Sequence, residues 1–371
     1  MADAGMLPTA PADISAPRRL MAWASGRGSA VARNPLTASI VIAFVLVAIV
    51  ILISGSNPLE AYAEIWKGAA TKSGPRTVVN RAIPIVGMAI ALSIPFRTGI
   101  VNLGGEGQMV IGGFAAAITA INLPGPGIIR ILAAVLAGAL VGAAWAALPA
   151  IGQAWLKLPI LITSLLLNAP AVALCSYLVK FYFLDTTETS NTTVQVGDAA
   201  RIPAPDWLAG ASVSAIAVLL LVVSVSLRNN RTVAGYEGFI SGLNLRFSRY
   251  GGVRTTRQSV LAMLAGGAVA GAVGAHLVLG QSGRFVDGDL DGSGFAWTGL
   301  LVTLLAAHRA WPVLAAGVFF SALQVGGLAM QRTAGVSWQL AQVLQAVVIL
   351  ALVARIVLVR TPMTAPERPE T

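Results

Sequence analysis

Charge is scarce in this chain. Asp, Glu, Lys and Arg make up 11% of its 371 residues, against roughly 25% in a soluble domain, which excludes a surface that faces water on all sides. Cysteine is nearly absent. The single Cys175 cannot close an intrachain disulfide and reads as a small packed hydrophobe within an apolar run. The two histidines, His276 and His308, stand far apart and have no Cys or carboxylate at ligand spacing, which argues against zinc and haem sites. His276 reads as a helix-end residue and His308 as a loop residue beside Arg309. Asp287, Asp289 and Asp291 alternate in DGDLDGSG without the closing Glu of an EF-hand loop. Lysine is reduced to Lys67, Lys72, Lys157 and Lys180, none in a G-x-x-x-x-G-K-[ST] phosphate loop. An embedded enzyme would need a cluster of nucleophile, base or metal ligands, and the sequence supplies none.

What remains is apolar. Hydrophobic residues make up 56% of the chain and the mean hydropathy is +0.78, with polar residues confined to short islands. A helix needs about 20 apolar residues to cross a bilayer. Runs near that length predict ten spans, at 35–54, 81–97, 105–123, 128–151, 159–183, 209–227, 258–280, 294–308, 311–330 and 338–359. The fold class is therefore an all-α membrane protein. The runs 81–97 and 294–308 are short and contain or adjoin Pro84, Pro95, Gly292 and Gly294, so they read as half-helices or broken helices. The first 34 residues read as a disordered cytoplasmic tail, 35–359 as the transmembrane domain and 360–371 as a second cytoplasmic tail.

The net charge of +10 does not point to nucleic acid, because the basic residues are spread over short loops rather than one patch. Topology accounts for them. With the N-terminus inside, 16 of the 25 basic residues fall on the inner side and 9 of the 15 acidic residues on the outer side, as positively charged loops are retained in the cytoplasm. Both termini are expected there. The outer segment PLEAYAEIWKG, 58–68, places Leu59, Tyr62, Ile65 and Trp66 at helical spacing and reads as a surface helix.

Blocks 81–180 and 258–355 correspond weakly: each passes from an apolar helix through a Gly-rich polar break (VNLGGEGQ, DGDLDGSG) into Ala- and Leu-rich helices. They start five spans apart, so they would be inverted, an arrangement that puts a substrate path at the repeat interface.

Two stretches carry the functional signal. In VNLGGEGQMVIGG, 101–113, Glu106 is the one acidic residue expected at membrane depth, where an unpaired carboxylate costs a few kcal/mol or more. Asn102 and Gln108 flank it, and Gly104, Gly105 and Gly107 permit close backbone approach. Two roles fit Glu106, lining a translocation path or clamping a helix end, with Arg97 the nearest partner in sequence. Asn168 and Gln324 are further intramembrane amides that serve either as helix–helix glue or as solute ligands.

The second stretch is GYEGFISGLNLRFSRYGG, 235–252, within the arginine-bearing inner segment 228–257. Phe239, Ile240, Leu243 and Phe247 share a helical face beside Arg246, Arg249 and Tyr250, as in a short amphipathic helix on the cytoplasmic surface. Such a helix either satisfies the positive-inside rule or docks a cytosolic partner.

Together these stretches resemble the N-[IL]-G-x-E-G-Q segment and the G-x-x-x-x-[AS]-x-G-x-N-x-x-[AS]-x-Y-x-G-[IV] coupling segment of ABC importer permeases for branched-chain amino acids, simple sugars and nucleosides. LITSLLLNAPAVALCSYLV, GSGFAWTGLLVTLLA and GGLAMQRTAGV add to the likeness, the last favouring the nucleoside and simple-sugar branch. It covers roughly residues 60 to 355. The chain departs from the family at Leu245-Arg246-Phe247 and Ala307-His308-Arg309.

The resemblance implies a permease subunit in the bacterial cytoplasmic membrane that pairs with a second permease, a cytosolic ABC ATPase and an extracytoplasmic solute-binding protein. No cofactor is implied for this chain; ATP and Mg are used by the partner subunits. The implied solute path runs by Asn102, Glu106, Gln108, Asn168, Ser293, Phe295 and Gln324. ATPase coupling is implied for Gly235, Tyr236, Gly242, Asn244, Arg246, Arg249 and Tyr250. The rival reading is a stand-alone secondary transporter with Glu106 as a proton or sodium site.

Overall fold

A computed structural model describes residues 35–347, except 54, 72, 341 and 344. The expected tails 1–34 and 360–371 and most of the expected last span lie outside the described residues. Residues up to 55 and from 343 onward form one unit, and residues 56–342 form the other. The first holds α1 (Pro35–Ile53), 19 residues without a charge.

The larger unit is all helical, and among the described residues the only β features are two isolated bridges. It opens with α2 (Pro58–Ala70), started by Asn57, whose side chain accepts from the Leu59 N–H, and by Pro58. Ala61 is buried, while Leu59 and Trp66 project outward.

Next comes α3 (Gly74–Arg97). It corrects the expectation of a short or broken helix at 81–97, because it runs unbroken for 24 residues with Pro84 inside it. Nearly every side chain from Ala82 to Pro95 is buried, and the helix forms the centre of the bundle. Its first two turns carry Arg76, Thr77 and Asn80, which ended the apolar run in the sequence. Asn80 is satisfied by the Ser212 N–H at 2.8 Å.

Beyond it lie α4 (Gly105–Asn122), α5 (Gly127–Leu156), α6 (Ile160–Leu166), α7 (Asn168–Tyr182), α8 (Ser214–Arg231), α9 (Val233–Leu243), α10 (Leu245–Tyr250) and α11 (Thr255–Leu277). The last of these continues into a π turn at Val278–Ser282. The chain then forms α12 (Asp289–Gly292), α13 (Phe295–Leu305) and α14 (Ala310–Ala334). Among the described residues, six spans are long and apolar enough to cross a membrane: α3, α5, the pair α6 and α7 taken together, α8, α11 with its π turn, and α14. Within the larger unit, two expected spans fall short of that standard. α4 opens on Glu106 and Gln108, and α13 has only 11 residues.

Small residues let these helices approach closely. A Cβ on Gly138 of α5 would lie 2.8 Å from the Gly112 carbonyl oxygen of α4 and 3.0 Å from that of Gly271 in α11. Lipid tails give helices no hydrophobic reason to associate, so such backbone contact carries the packing.

The pairing of helices has an exchange pattern. α3 and α11 pack on each other; α4 and α5 pack together and both on α11; α13 and α14 pack together and both on α3. The segment 183–213 is tied to the end of α11 by backbone bonds from Val196 to Gly283 and Ile202 to Leu279, and by an Arg284–Glu188 ion pair at 2.6 Å.

Candidate functional site

The stretch that drew attention in the sequence is the reversal between α3 and α4. Gly99, at φ 82°, turns the chain, a conformation that costs glycine little. A Cβ there would also lie 3.1 Å from the Gly242 Cα. Residues 100–104 then run back along α3, and α4 starts with Gly105 against Met88 and Leu92. That point is roughly 8 Å short of the end of α3 at 1.5 Å per residue. α13 starts in the same way near the other end: the Arg81 guanidinium lies 5.6 Å from the centre of the Phe295 ring. Both α4 and α13 therefore begin inside the bundle.

The polar residues of the reversal hold it in place. Asn102 accepts from the Gly104 N–H at 2.9 Å and donates to Gln108 Oε1 at 3.1 Å. Asn168 Oδ1 accepts from the Gly107 N–H, and Asn168 Nδ2 donates to the Leu103 carbonyl, both at 2.9 Å. Ser164 accepts from the Leu103 N–H at 3.1 Å. Asn102 and Gln108 are fully buried. Of the residues expected along a path here, Gln108 and Asn168 direct their amides at the protein itself, and Asn102 also reaches the wall of a neighbouring cleft.

Glu106 differs from these. It lies in the first turn of α4, is half-exposed, and stands beside Trp297 of the first turn of α13. A carboxylate at a helix N-terminus also meets the positive end of the helix dipole. The two opening turns meet here and bound a small cleft of about 10 Å³ with Leu92, Asn102 and Leu300 on its walls.

The remaining expected path residues gather in a second place. Gln324 of α14 accepts from Arg81 Nε at 2.8 Å and donates to Thr298 at 3.3 Å. Arg81, Ser293 and Phe295 face a polar cavity of about 240 Å³ with Gln281 and Asp289. The structure thus splits the expected set into two groups joined by the start of α13. Sequence reasoning missed Arg81 and Trp297. Arg81 reads as the flank of an apolar run and Trp297 lies inside another, so neither carries a local signal.

The expected amphipathic helix at 235–252 is corrected to two helices, α9 and α10. Thr232 caps the first by accepting from the Gly235 N–H at 3.1 Å. Asn244 adopts extended backbone and caps the second by accepting from the Phe247 N–H at 3.0 Å. Gly235, Gly238 and Ser241 are buried, and Gly242 sits against the Arg97–Gly99 turn. Tyr236, Leu243, Phe247 and Tyr250 are exposed, Tyr250 at 93%. Arg246 and Arg249 lie beside them, and Arg249 Nε donates to Thr255 at 3.2 Å.

A bundle of small-residue helices around two internal helix starts defines a membrane transport permease. The chain belongs to the family described as branched-chain amino acid transport system permease components, matched over residues 75–353. It is 31% identical to a glucose ABC transporter permease protein of Haloferax volcanii over 308 residues, 80% of each chain. It is 27% identical to a guanosine ABC transporter permease protein of Bacillus subtilis, over 82% of this chain and 88% of that one. A nucleoside ABC transporter permease protein of Lactococcus lactis is 26% identical over 87% and 91%.

Proposed function

We propose that the chain is the permease subunit of an ATP-driven importer for a nucleoside or simple sugar, working by alternating access in the bacterial cytoplasmic membrane. The observation that carries this reading is the meeting of the α4 and α13 starts at Glu106 and Trp297. A half-exposed carboxylate at membrane depth has to face water, solute or another protein rather than lipid. The relatives named as glucose, guanosine and nucleoside permeases support the solute class. So does the cavity at Arg81, Ser293 and Phe295, where hydrogen-bonding groups lie beside an aromatic ring.

The exchange pattern of helix packing supports two inverted repeats, about 81–180 and 258–355, that shift against each other around this site. In this reading the span count is about ten, and both termini and the end carrying Arg97, Arg228 and Arg309 face the cytoplasm. There α9 and α10 form the docking surface for a cytosolic ABC ATPase, which binds and hydrolyses ATP with Mg. A second permease subunit covers the Glu106 face, and an extracytoplasmic solute-binding protein delivers solute to the opposite end.

The exposed apolar side chains of α9 and α10 supply the test. Replacing Leu243 and Phe247 by Asp keeps the fold, because both side chains point outward, and abolishes solute-stimulated ATP hydrolysis by the assembled complex. Unchanged stimulation would remove the docking assignment.

A further inference from the structure

The arginine-bearing end of the bundle holds a cavity that the transport reading does not use. It measures about 440 Å³ and lies where α3 and α8 end and α14 begins. Arg97, Asn229, Asn230, Phe239, Arg309 and Trp311 line it.

Among the described residues its charge is not ion-paired. Arg228 and Arg309 stand close enough to Arg97 to repel it, and none of the three belongs to an ion pair among the described residues. No acidic side chain among the described residues is ion-paired with them. Glu237 is the only acidic residue between Asp206 and Asp287, and its carboxylate accepts from Gln258 rather than from these arginines. Like charges packed together raise the energy of the fold unless an anion joins them.

The donors are likewise unspent. Arg97 Nε is buried without a partner, and Arg97 Nη2 makes one long bond, 3.4 Å, to the Asn229 carbonyl. The guanidinium is held in place against the Phe239 ring, 5.0 Å from its centre. A fixed guanidinium fork with open N–H groups matches the oxygens of a phosphate. Arg309 is presented to the cavity by Ala307 and His308, two successive non-glycine residues in left-handed conformation, directly before the first turn of α14.

We propose that Arg97 and Arg309, with the charge of Arg228 beside them, form a phosphate-binding site at this face of the membrane. The headgroup phosphate of an anionic phospholipid fits it. The cavity lies among the ends of membrane-crossing helices, and Trp311, 52% exposed, stands at its rim where an indole suits the headgroup level. Basic pockets between helices on the cytoplasmic side take such headgroups. Because Phe239 belongs to α9, an occupied site braces the helix assigned to docking. The site rests on the transport reading only for which side of the membrane it faces, and binding is measured on the full chain without any transport assay.

Full-length protein in neutral detergent is titrated with phosphatidylglycerol or phosphatidylcholine and the bound lipid counted by native mass spectrometry, with inorganic phosphate as competitor. Phosphatidylglycerol is retained at least about tenfold more tightly than phosphatidylcholine, because the choline ammonium cancels the net charge of its phosphate and repels the arginines. Arg228→Gln with Arg309→Gln loses the preference, whereas the double Lys replacement keeps part of it. Arg309→Gln alone, at an exposed position, gives a partial loss and decides the matter if the double variant does not fold. Displacement by millimolar phosphate assigns free phosphate as the ligand, and resistance to it assigns the lipid. Equal retention of the two lipids without phosphate binding, or an unaltered preference in the Gln variants, would overturn the proposal.

Discussion

Asn168 shows how a single amide can hold a re-entrant turn. Its two bonds satisfy the Gly107 N–H and the Leu103 carbonyl at the start of α4, and each group left buried without a partner costs about 1–3 kcal/mol. Asn168→Ala therefore lowers the thermal unfolding midpoint markedly. Asn122→Ala, which removes only a bond to its own helix at Ile118, leaves it nearly unchanged. In the sequence the two roles open to Asn168 could not be separated, because only geometry shows where both ends of the amide point. His308 gives a pH-dependent term. Burial first, and the charge of Arg97 second, push its pKa below the usual 6.5. The folded protein therefore binds fewer protons than the unfolded chain as pH falls below that value. The contribution is fully present above about pH 6.5 and is lost as pH drops toward the folded pKa. The unfolding midpoint falls between about pH 7.5 and pH 5.5, and His308→Gln flattens that slope.

At the scale of elements, the apolar runs located the helices well but misjudged those whose ends are polar. Seven residues of α3, Gly74–Asn80, escaped notice because Arg76 and Asn80 break the run, yet the loop at Gly210–Ser212 meets both side chains. The break at Asn244 was hidden for a different reason. The apolar side chains keep helical spacing across it, and only the cap at Phe247 ends one helix and begins the next. The starts of α4 and α13 were more legible, since each follows a Gly-rich polar stretch that cannot span lipid alone. Crowded glycines make a prediction at this scale. Gly138→Leu forces the Gly112 and Gly271 backbones apart, an overpacking cost of about 1–3 kcal/mol, and lowers both yield and unfolding midpoint. Gly292→Ala, at a position with open space, does neither.

For the whole molecule, the ordering of helices in sequence and their packing tell one story. α11 holds α4 and α5 as α3 holds α13 and α14, so the two halves brace each other's short helices and leave their starts facing one another at Glu106 and Trp297. In the proposed reading the bundle exposes its site to either side of the membrane in turn, driven by a partner ATPase; the rival reading is an ion gradient, and Glu106 is where the two diverge. The most direct measurement is uptake of labelled guanosine or glucose into vesicles carrying the assembled complex, with ATP maintained and the proton and sodium gradients collapsed, for the wild type and for Glu106→Gln. The account predicts that wild-type uptake continues undiminished without the gradients and stops when ATP is withdrawn. Uptake that dies with the gradients while ATP remains would contradict it.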